Sequence, residues 1–360
     1  MPAALLPAVT SVLAFVFAVA LVDQWRDRRR GYQAVWAVGM VLYGVASGCE
    51  ALAAAAGWQP SIYRTWYAFG VATPAWLGLG TAYLLGRTRF GYTYAALVLV
   101  AGLIAFAARN RYAEAGLVPV ALLFAGVVVA LAVGVETYFQ DERWPAIGAL
   151  AVVVATIANG LAVWSAGLPA TLPLAASGLP STDVLPAAPR LLALFLNLPG
   201  ALALVLGAIF STYVFMPKRR VLAYSLDPTQ PGDHFLFNLA ISPVAILVNF
   251  VASLPGAIRA LVSGRINSRA PATLLIALGA FVPTITDSLV LVGSTEWFQL
   301  GKFVGLVLLF AGFLVSIDVF HEYRVPFTSI RLGGPRRERE VTAAEVAAPP
   351  RPSVQAADRT

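Results

Sequence analysis

The sequence has few charged side chains and few side chains that bind metals. Only 12% of its 360 residues are charged, and it contains one cysteine and two histidines. A single cysteine excludes an internal disulfide and any site built from several thiolates. The two histidines, His234 and His321, stand far apart. We therefore predict neither a metal site nor a bound cofactor.

Motifs of phosphate chemistry and catalysis are also missing. Neither of the glycine-rich patterns that bind phosphate groups, G-x-x-x-x-G-K-[ST] and G-x-G-x-x-G, is present. No nucleophile or acid–base pair is recognisable, which favours a non-enzymatic protein over an intramembrane enzyme. The net charge of +7 is typical of basic loops beside a membrane, so we predict no nucleic-acid partner.

Apolar residues dominate what is present. Hydrophobic residues make up 59% of the chain, and the mean hydropathy is +0.77. A soluble domain usually carries about 25% charged residues for its surface, so we expect lipid to be the solvent of this chain. Residues 4–22 are apolar and are followed by the run DQWRDRRR. This charge order is opposite to that of a cleaved signal peptide, and it predicts a retained first span with its N-terminus outside.

Ten apolar runs are long enough to form membrane helices of an all-α bundle. They cover residues 4–22, 33–56, 65–86, 92–108, 116–136, 145–167, 191–214, 235–258, 270–292 and 297–320. If all ten cross the membrane, ten of the lysines and arginines that flank the runs lie on one side and twelve on the other. If 235–258 does not cross, eighteen lie inside and four outside. Because basic loops stay in the cytoplasm, we predict nine spanning helices, with the N-terminus out and the C-terminus in.

The exceptional segment, 235–258, has features of a re-entrant or interfacial helix. Pro243 and the pair Pro255-Gly256 are expected to interrupt it. Its polar residues form one narrow stripe, which suits an element at the membrane surface. The stripe consists of Asn238, Ser242, Asn249 and Ser253. The alternative is a tenth span whose stripe faces the other helices.

The chain divides into one membrane domain and a tail. We predict a single integral membrane domain over residues 1–332, in which an outer proline-rich loop, 168–189, separates six spans, ending at 167, from the remaining spans in 191–320. Residues 333–360 lack large apolar side chains and are predicted to be a disordered cytoplasmic tail. The expected location is the cytoplasmic membrane of a bacterium. The expected partners are the lipid bilayer and a cytoplasmic protein bound through the basic loops and the tail.

Three ionisable residues lie inside apolar runs. Glu50 stands near the outer end of the second run, where a charge is costly and marks a candidate site. Asp287 and Lys302 flank the turn of TDSLVLVGSTEWFQLGK, each seven or eight residues from its middle. Equal depth permits an ion pair that pins the last two helices together. The same residues are also candidates for binding or transporting a ligand.

Two asparagines complete the set of candidates. Asn159 lies in the sixth run, and Asn197 lies just before Pro199. Together with helices broken at Pro199 and Pro283, they predict a polar cavity between the helices. The alternative is ordinary hydrogen bonding between neighbouring helices.

One stretch resembles a known group of membrane regions. Glu50 near a helix end, followed by WQPSIYRTWYAFGVATPAWLGLGTAYLL, resembles the multi-helix membrane sensor regions of some bacterial histidine kinases. The resemblance covers these two helices alone and assigns no role to any residue, and no kinase domain follows. The expected function is a non-enzymatic module that senses, binds a ligand or serves as a scaffold. The alternative is a permease for a small or lipidic solute.

Overall fold

The structure of the chain is a computed structural model. It describes residues 4–85, 90–109, 116–138, 144–175, 178–223, 232–263, 269–291, 297–315, 323–324 and 331–332. Some of these residues, including 232–240 and 284–291, are described by their backbone alone. The predicted tail, 333–360, lies outside the described residues.

The described chain is helical almost throughout, as predicted. Its helices are α1 (Leu5–Arg28), α2 (Gly31–Ala56), α3 (Pro60–Leu84), α4 (Phe90–Ala107), α5 (Leu117–Tyr138), α6 (Trp144–Ser165), α7 (Ala187–Phe215), α8 (Gly232–Val262), α9 (Arg269–Leu291) and α10 (Trp297–Val315). Each coincides with one of the ten apolar runs. Two short strands, β1 (Tyr323–Arg324) and β2 (Arg331–Leu332), pair antiparallel after α10.

Length, composition and surface are compatible with a membrane protein. Five helices of the described chain, α1, α2, α6, α7 and α10, are long and apolar enough to cross a bilayer. The outward faces of the helices carry large apolar side chains: Leu123 is 70% exposed and Leu161 is 68% exposed. A soluble monomer rarely exposes a continuous apolar surface. The exposed apolar surface of this chain is compatible with contact to lipid tails.

The helices are joined by close antiparallel packing. The Ser11 hydroxyl of α1 donates to the Gly44 carbonyl of α2 at 2.7 Å, and the Trp36 indole of α2 donates to the Leu77 carbonyl of α3 at 2.9 Å. At the α9–α10 contact, a Cβ built on Gly279 would lie 2.7 Å from the Gly305 carbonyl oxygen. The two backbones are therefore nearly in contact, as small residues allow in membrane helices.

The helices α7 and α3 cross at the middle of the bundle. A side chain at Gly200 would overlap the carbonyl of Pro74, so glycine is required there. Both α7 and α9 continue through their internal prolines, Pro199 and Pro283. The prediction that these prolines break the helices was wrong. A proline in an apolar helix removes one hydrogen bond, and close packing with neighbouring helices compensates for that loss.

The helix ends form two unlike faces of the bundle. We call one the basic end: it contains the α1–α2 turn, the C-terminus of α7 and the N-terminus of α9. The opposite end contains the α2–α3 turn and the start of α10. Described basic residues of the basic end include Arg26, Arg28, Arg29, Arg30, Lys218, Arg219, Arg220 and Arg269. Those of the opposite end, apart from Lys302, are Arg64, Arg109 and Arg190.

The chain between α7 and α9 leaves and returns at the basic end. Thr212, near the end of α7, hydrogen-bonds Thr273, near the start of α9, at 2.9 Å. The two helices are therefore antiparallel neighbours. The intervening α8 is one helix that includes Pro243 and Pro255, so the expected interruptions do not occur.

Candidate functional site

The side chain of Glu50 lies almost completely buried near the opposite end of the bundle. Glu50 is six residues from the end of α2 at Ala56, which is about 9 Å along the helix. Only 3% of its side chain is exposed. A carboxylate at such a site needs partners, because an uncompensated charge in an apolar interior costs several kcal/mol.

Two other helices supply three hydrogen-bond donors to this carboxylate. On α10, the Lys302 ammonium donates to Oε1 at 2.6 Å and the Gln299 amide donates to Oε2 at 2.8 Å. On α3, the Trp66 indole donates to Oε1 at 2.7 Å. Gln299 and Lys302 share a face of α10 because they are three residues apart. We call Glu50, Trp66, Gln299 and Lys302 the Glu50 hub; it joins α2, α3 and α10.

The Lys302 ammonium is held by rings as well as by the carboxylate. It lies 5.2 Å from the ring centre of Phe298 and 5.7 Å from that of Tyr43, within the range of cation–π attraction. Its side chain is 12% exposed. The Tyr43 hydroxyl also donates to the Lys302 carbonyl at 3.0 Å. Tyr43 and Glu50 are seven residues apart on α2, so they present the same helix face to α10.

An aromatic cluster adjoins the hub. Trp66 contacts Trp58, Tyr63 and Tyr67, with ring centres between 5.4 and 6.4 Å apart. These rings lie at the opposite end of the bundle and pack on one another as a connected group.

The loop between α6 and α7 covers this cluster. The Trp58 indole donates to the Gly178 carbonyl at 3.1 Å, and the Tyr63 hydroxyl donates to the Ser181 carbonyl at 3.2 Å. Leu172 and Leu185 of the loop are buried against the same rings. The loop is therefore a packed cover over the end of the bundle that contains the hub.

Apolar side chains fill the bundle between the hub and the basic end. Phe313 of α10 packs edge-on against Trp36 of α2 and Phe17 of α1, with ring centres 4.7 and 4.9 Å apart. Met40 and Leu306 are buried in the same cluster. We call this group the apolar seal. It separates the hub from the polar residues of the basic end.

The structure brings together two of the five predicted site residues, Glu50 and Lys302. Asn159 is fully buried in α6, and neither its amide nitrogen nor its oxygen has a hydrogen-bond partner among the described residues. Asn197 is half-buried in α7. No hydrogen bond of the described chain connects either asparagine to the Glu50 hub.

The predicted pair of Asp287 and Lys302 stays a prediction, because the side chain of Asp287 lies outside the described residues. The backbone of α9 places Asp287 one turn beyond Pro283, which lies against Gly305. Asp287 is therefore level with the part of α10 that carries Lys302. The described partner of Lys302 is Glu50.

Sequence reasoning missed Gln299 and Trp66. Gln299 has a signal: it is the one other polar residue in the apolar run of α10 before Lys302, three residues away on the same face. Trp66 has no such signal, because nothing in the surrounding sequence indicates whether its indole N–H faces a carboxylate or the membrane interface.

The chemistry of the hub is that of a buried ion pair. Both carboxylate oxygens of Glu50 are engaged, and the cation is internal. Among the described residues, no group of three or more His, Cys, Asp or Glu side chains could hold a metal ion. The arrangement can hold α2, α3 and α10 in place, and breaking the ion pair would weaken the contact among these helices.

No protein-family model, no curated protein and no solved structure matches this chain.

Proposed function

We propose that this chain is a non-enzymatic membrane module that senses a condition or ligand at the opposite end of the bundle, with the Glu50 hub as its switch. The observation that carries the proposal is the Lys302–Glu50 ion pair, buried and shared among three helices. A buried pair is held in one geometry when intact and strongly destabilises that geometry when one charge is removed. The contact beneath the covering loop therefore has two states, one with the ion pair formed and one with it broken.

The helix α10 is the element that would transmit the change. It carries Lys302 near one end, and Phe310 and Phe313 near the other, packed against Phe17 of α1. Its contact with α9 is lined by glycines, so few side chains interlock there. Small shifts of one helix past another are a common form of switching. We propose that loss of the pair moves α10 relative to α1 at the basic end.

Spin-label distances test this coupling in the full chain. Because Cys49 is the single cysteine, Cys49→Ala gives a clean background. Labels at Val22→Cys and Leu314→Cys, both exposed positions, report the α1–α10 distance at the basic end. Glu50→Gln should shift this distance distribution in lipid nanodiscs.

The matched control neutralises another carboxylate at the same end of the bundle. Asp183 is exposed in the covering loop, and Asp183→Asn should leave the α1–α10 distance unchanged. An unchanged distance in Glu50→Gln, with the ion pair abolished, would refute the switch and leave the hub a structural tie.

The proposed topology has nine crossings, with the basic end in the cytoplasm. It is supported by the Thr212–Thr273 contact, which puts the start of α9 beside the end of α7, so that α8 enters and leaves on one side. The clustering of basic residues at that end supports the orientation. The membrane is then the cytoplasmic membrane of a bacterium. A green fluorescent protein fused after Ser263 should be fluorescent, whereas an active alkaline phosphatase fused there would exclude this topology.

A permease is the second candidate, and buried polar groups favour it. The Ser47 hydroxyl and the Asn159 amide are buried without a hydrogen-bond partner among the described residues. Water or a solute would satisfy them. The apolar seal would have to open for transport. Uptake of a small solute into proteoliposomes that is lost in both Glu50→Gln and Asn159→Leu would favour this candidate over the sensing module.

A further inference from the structure

A short basic segment follows α7 at the basic end. Residues 217–222, with the sequence PKRRVL, are exposed, and we call them the basic strap. The Lys218 ammonium lies 5.9 Å from the ring centre of Tyr213, at the end of α7. Neither Arg219 nor Arg220 forms an ion pair with a described residue. Three positive charges therefore stand together where a bundle in a bilayer would meet the headgroups.

The strap is held in place by two polar side chains of α8. Asn249 accepts from the backbone N–H groups of Val221 and Leu222 at 2.7 and 2.9 Å, and its amide donates to the Leu222 carbonyl at 2.8 Å. The Ser253 hydroxyl accepts from the Arg219 N–H at 2.8 Å. Both side chains are buried. The polar stripe predicted on this helix therefore binds a protein segment, at least at these two positions.

The opposite face of α8 is apolar and exposed. At 100° per residue, Val244, Leu247, Val251 and Ile258 fall within about 60° of one another and opposite Asn249. They are 57, 46, 56 and 59% exposed. A helix with one polar and one apolar face and nearby basic residues is typical of the membrane interface.

We propose that the basic strap and α8 together form a binding site for the headgroups of anionic phospholipids in the leaflet at the basic end. The guanidinium groups of Arg219 and Arg220 match phosphate oxygens in charge and in their paired N–H geometry. The apolar face of α8 contacts the acyl chains. Asn249 and Ser253 act as positioning residues, because they fix the backbone that carries the charges.

Exposed apolar area beside the charges favours lipid over an acidic protein. The strap itself exposes Val221 at 57% and Leu222 at 40%, directly after its arginines. Acyl chains and phosphates occur side by side at a bilayer surface, so one environment satisfies both kinds of side chain. A purely acidic peptide would satisfy only the arginines.

Local lipid composition can be measured beside the strap in the full chain. A fluorophore is attached at Ala223→Cys, an exposed position, in the Cys49→Ala background. The protein is placed in nanodiscs that contain brominated phosphatidylglycerol or, at the same mole fraction, brominated phosphatidylcholine. Each basic residue near an anionic membrane surface strengthens the attraction by an amount equivalent to a factor of about five in the binding equilibrium. We expect the anionic lipid to be enriched at the label at least about fivefold, and less at high salt.

Two variants distinguish the effect of the basic strap from the effect of positive charge elsewhere at the basic end. Neutralising Lys218, Arg219 and Arg220 with glutamine should bring the enrichment to about one, because the attraction between basic side chains and anionic headgroups is then lost. The matched control neutralises Arg28, Arg29 and Arg30, which removes equal charge at the same end and should leave most of the enrichment. The orientation of both variants is checked first, because basic residues direct insertion.

Asn249→Ala keeps every charge but releases the strap, and it should lower the enrichment severalfold. Full enrichment in the strap variant, or equal quenching by both lipids in the unaltered chain, would overturn the proposal. Equal quenching together with binding of a soluble polyglutamate peptide would assign the strap to an acidic protein instead.

Discussion

Replacing Lys302 by methionine should destabilise the bundle by several kcal/mol. The substitution keeps the bulk of the side chain but removes the cation 2.6 Å from the Glu50 carboxylate. At that distance and an effective dielectric constant of 20, the attraction is about 6 kcal/mol. Desolvation offsets much of it, and removing one partner of a buried pair costs about 3–5 kcal/mol. We expect a loss in that range, because Trp66 and Gln299 alone would remain to stabilise the carboxylate.

A double-mutant cycle isolates the pair. The free energy of unfolding is measured by titration with dodecyl sulfate in mixed micelles for the unaltered chain, Glu50→Gln, Lys302→Met and the double variant. The double variant should be more stable than the sum of the two single losses predicts, with a coupling energy of about 2 kcal/mol or more, within the range for contacting residues.

The chain contains its own control pair. Arg190 and Asp183 lie 3.4 Å apart, but Asp183 is 84% exposed. The corresponding cycle should give a coupling below about 1 kcal/mol, as exposed pairs do. If the Glu50–Lys302 cycle is additive within about 0.5 kcal/mol, the hub does not hold the helices together, and the switch proposed for it loses its basis.

Two further predictions address the packing and the ammonium position. Gly200→Ala should destabilise the bundle by about 1–3 kcal/mol, because its Cβ would overlap Pro74. The control Gly160→Ala places its Cβ in open space beside α6, so it should be neutral or stabilising by up to about 1 kcal/mol. Equal effects of the two substitutions in the same titration would contradict the described α3–α7 contact. Lys302→Ala should be stabilised against heat by added n-propylammonium, which can occupy the vacated position beside the carboxylate. Glu50→Gln/Lys302→Ala should not respond, and an equal response would show that the amine binds elsewhere.

The helical content was readable from the chain because each apolar run is long and its turns are marked by polar or small residues. The prediction that prolines interrupt these helices was wrong because it applied the behaviour of helices in water. Pro199 and Pro243 stop helices in water, where a freed carbonyl can bind solvent, but in an apolar bundle the helix continues through them. The prediction that 235–258 does not cross the membrane came from charge counts and stays a proposal. The contact of Thr212 with Thr273 is the structural observation that favours it.

The hub shows the limit of sequence reasoning. The depths of Glu50 and Lys302 could be counted from the helix ends, and both were recognised as candidate site residues. Their contact could not be derived, because depth leaves the rotation of each helix about its axis undetermined. The predicted pair of Asp287 with Lys302 stays a prediction. The described bond of Lys302 reaches 252 residues along the chain to Glu50.

The sequence by itself determined that this protein is helical and apolar. With 59% hydrophobic and 12% charged residues, the chain cannot cover itself with a polar surface, and backbone groups away from water must bond within helices. Only the tertiary structure decided which helix faces meet. Which faces meet depends on how two helices fit together. Examples are the packing of glycine against proline at the α3–α7 crossing and the rotation of α10 that turns Lys302 toward α2. Such fits are properties of pairs of helices rather than of any one segment.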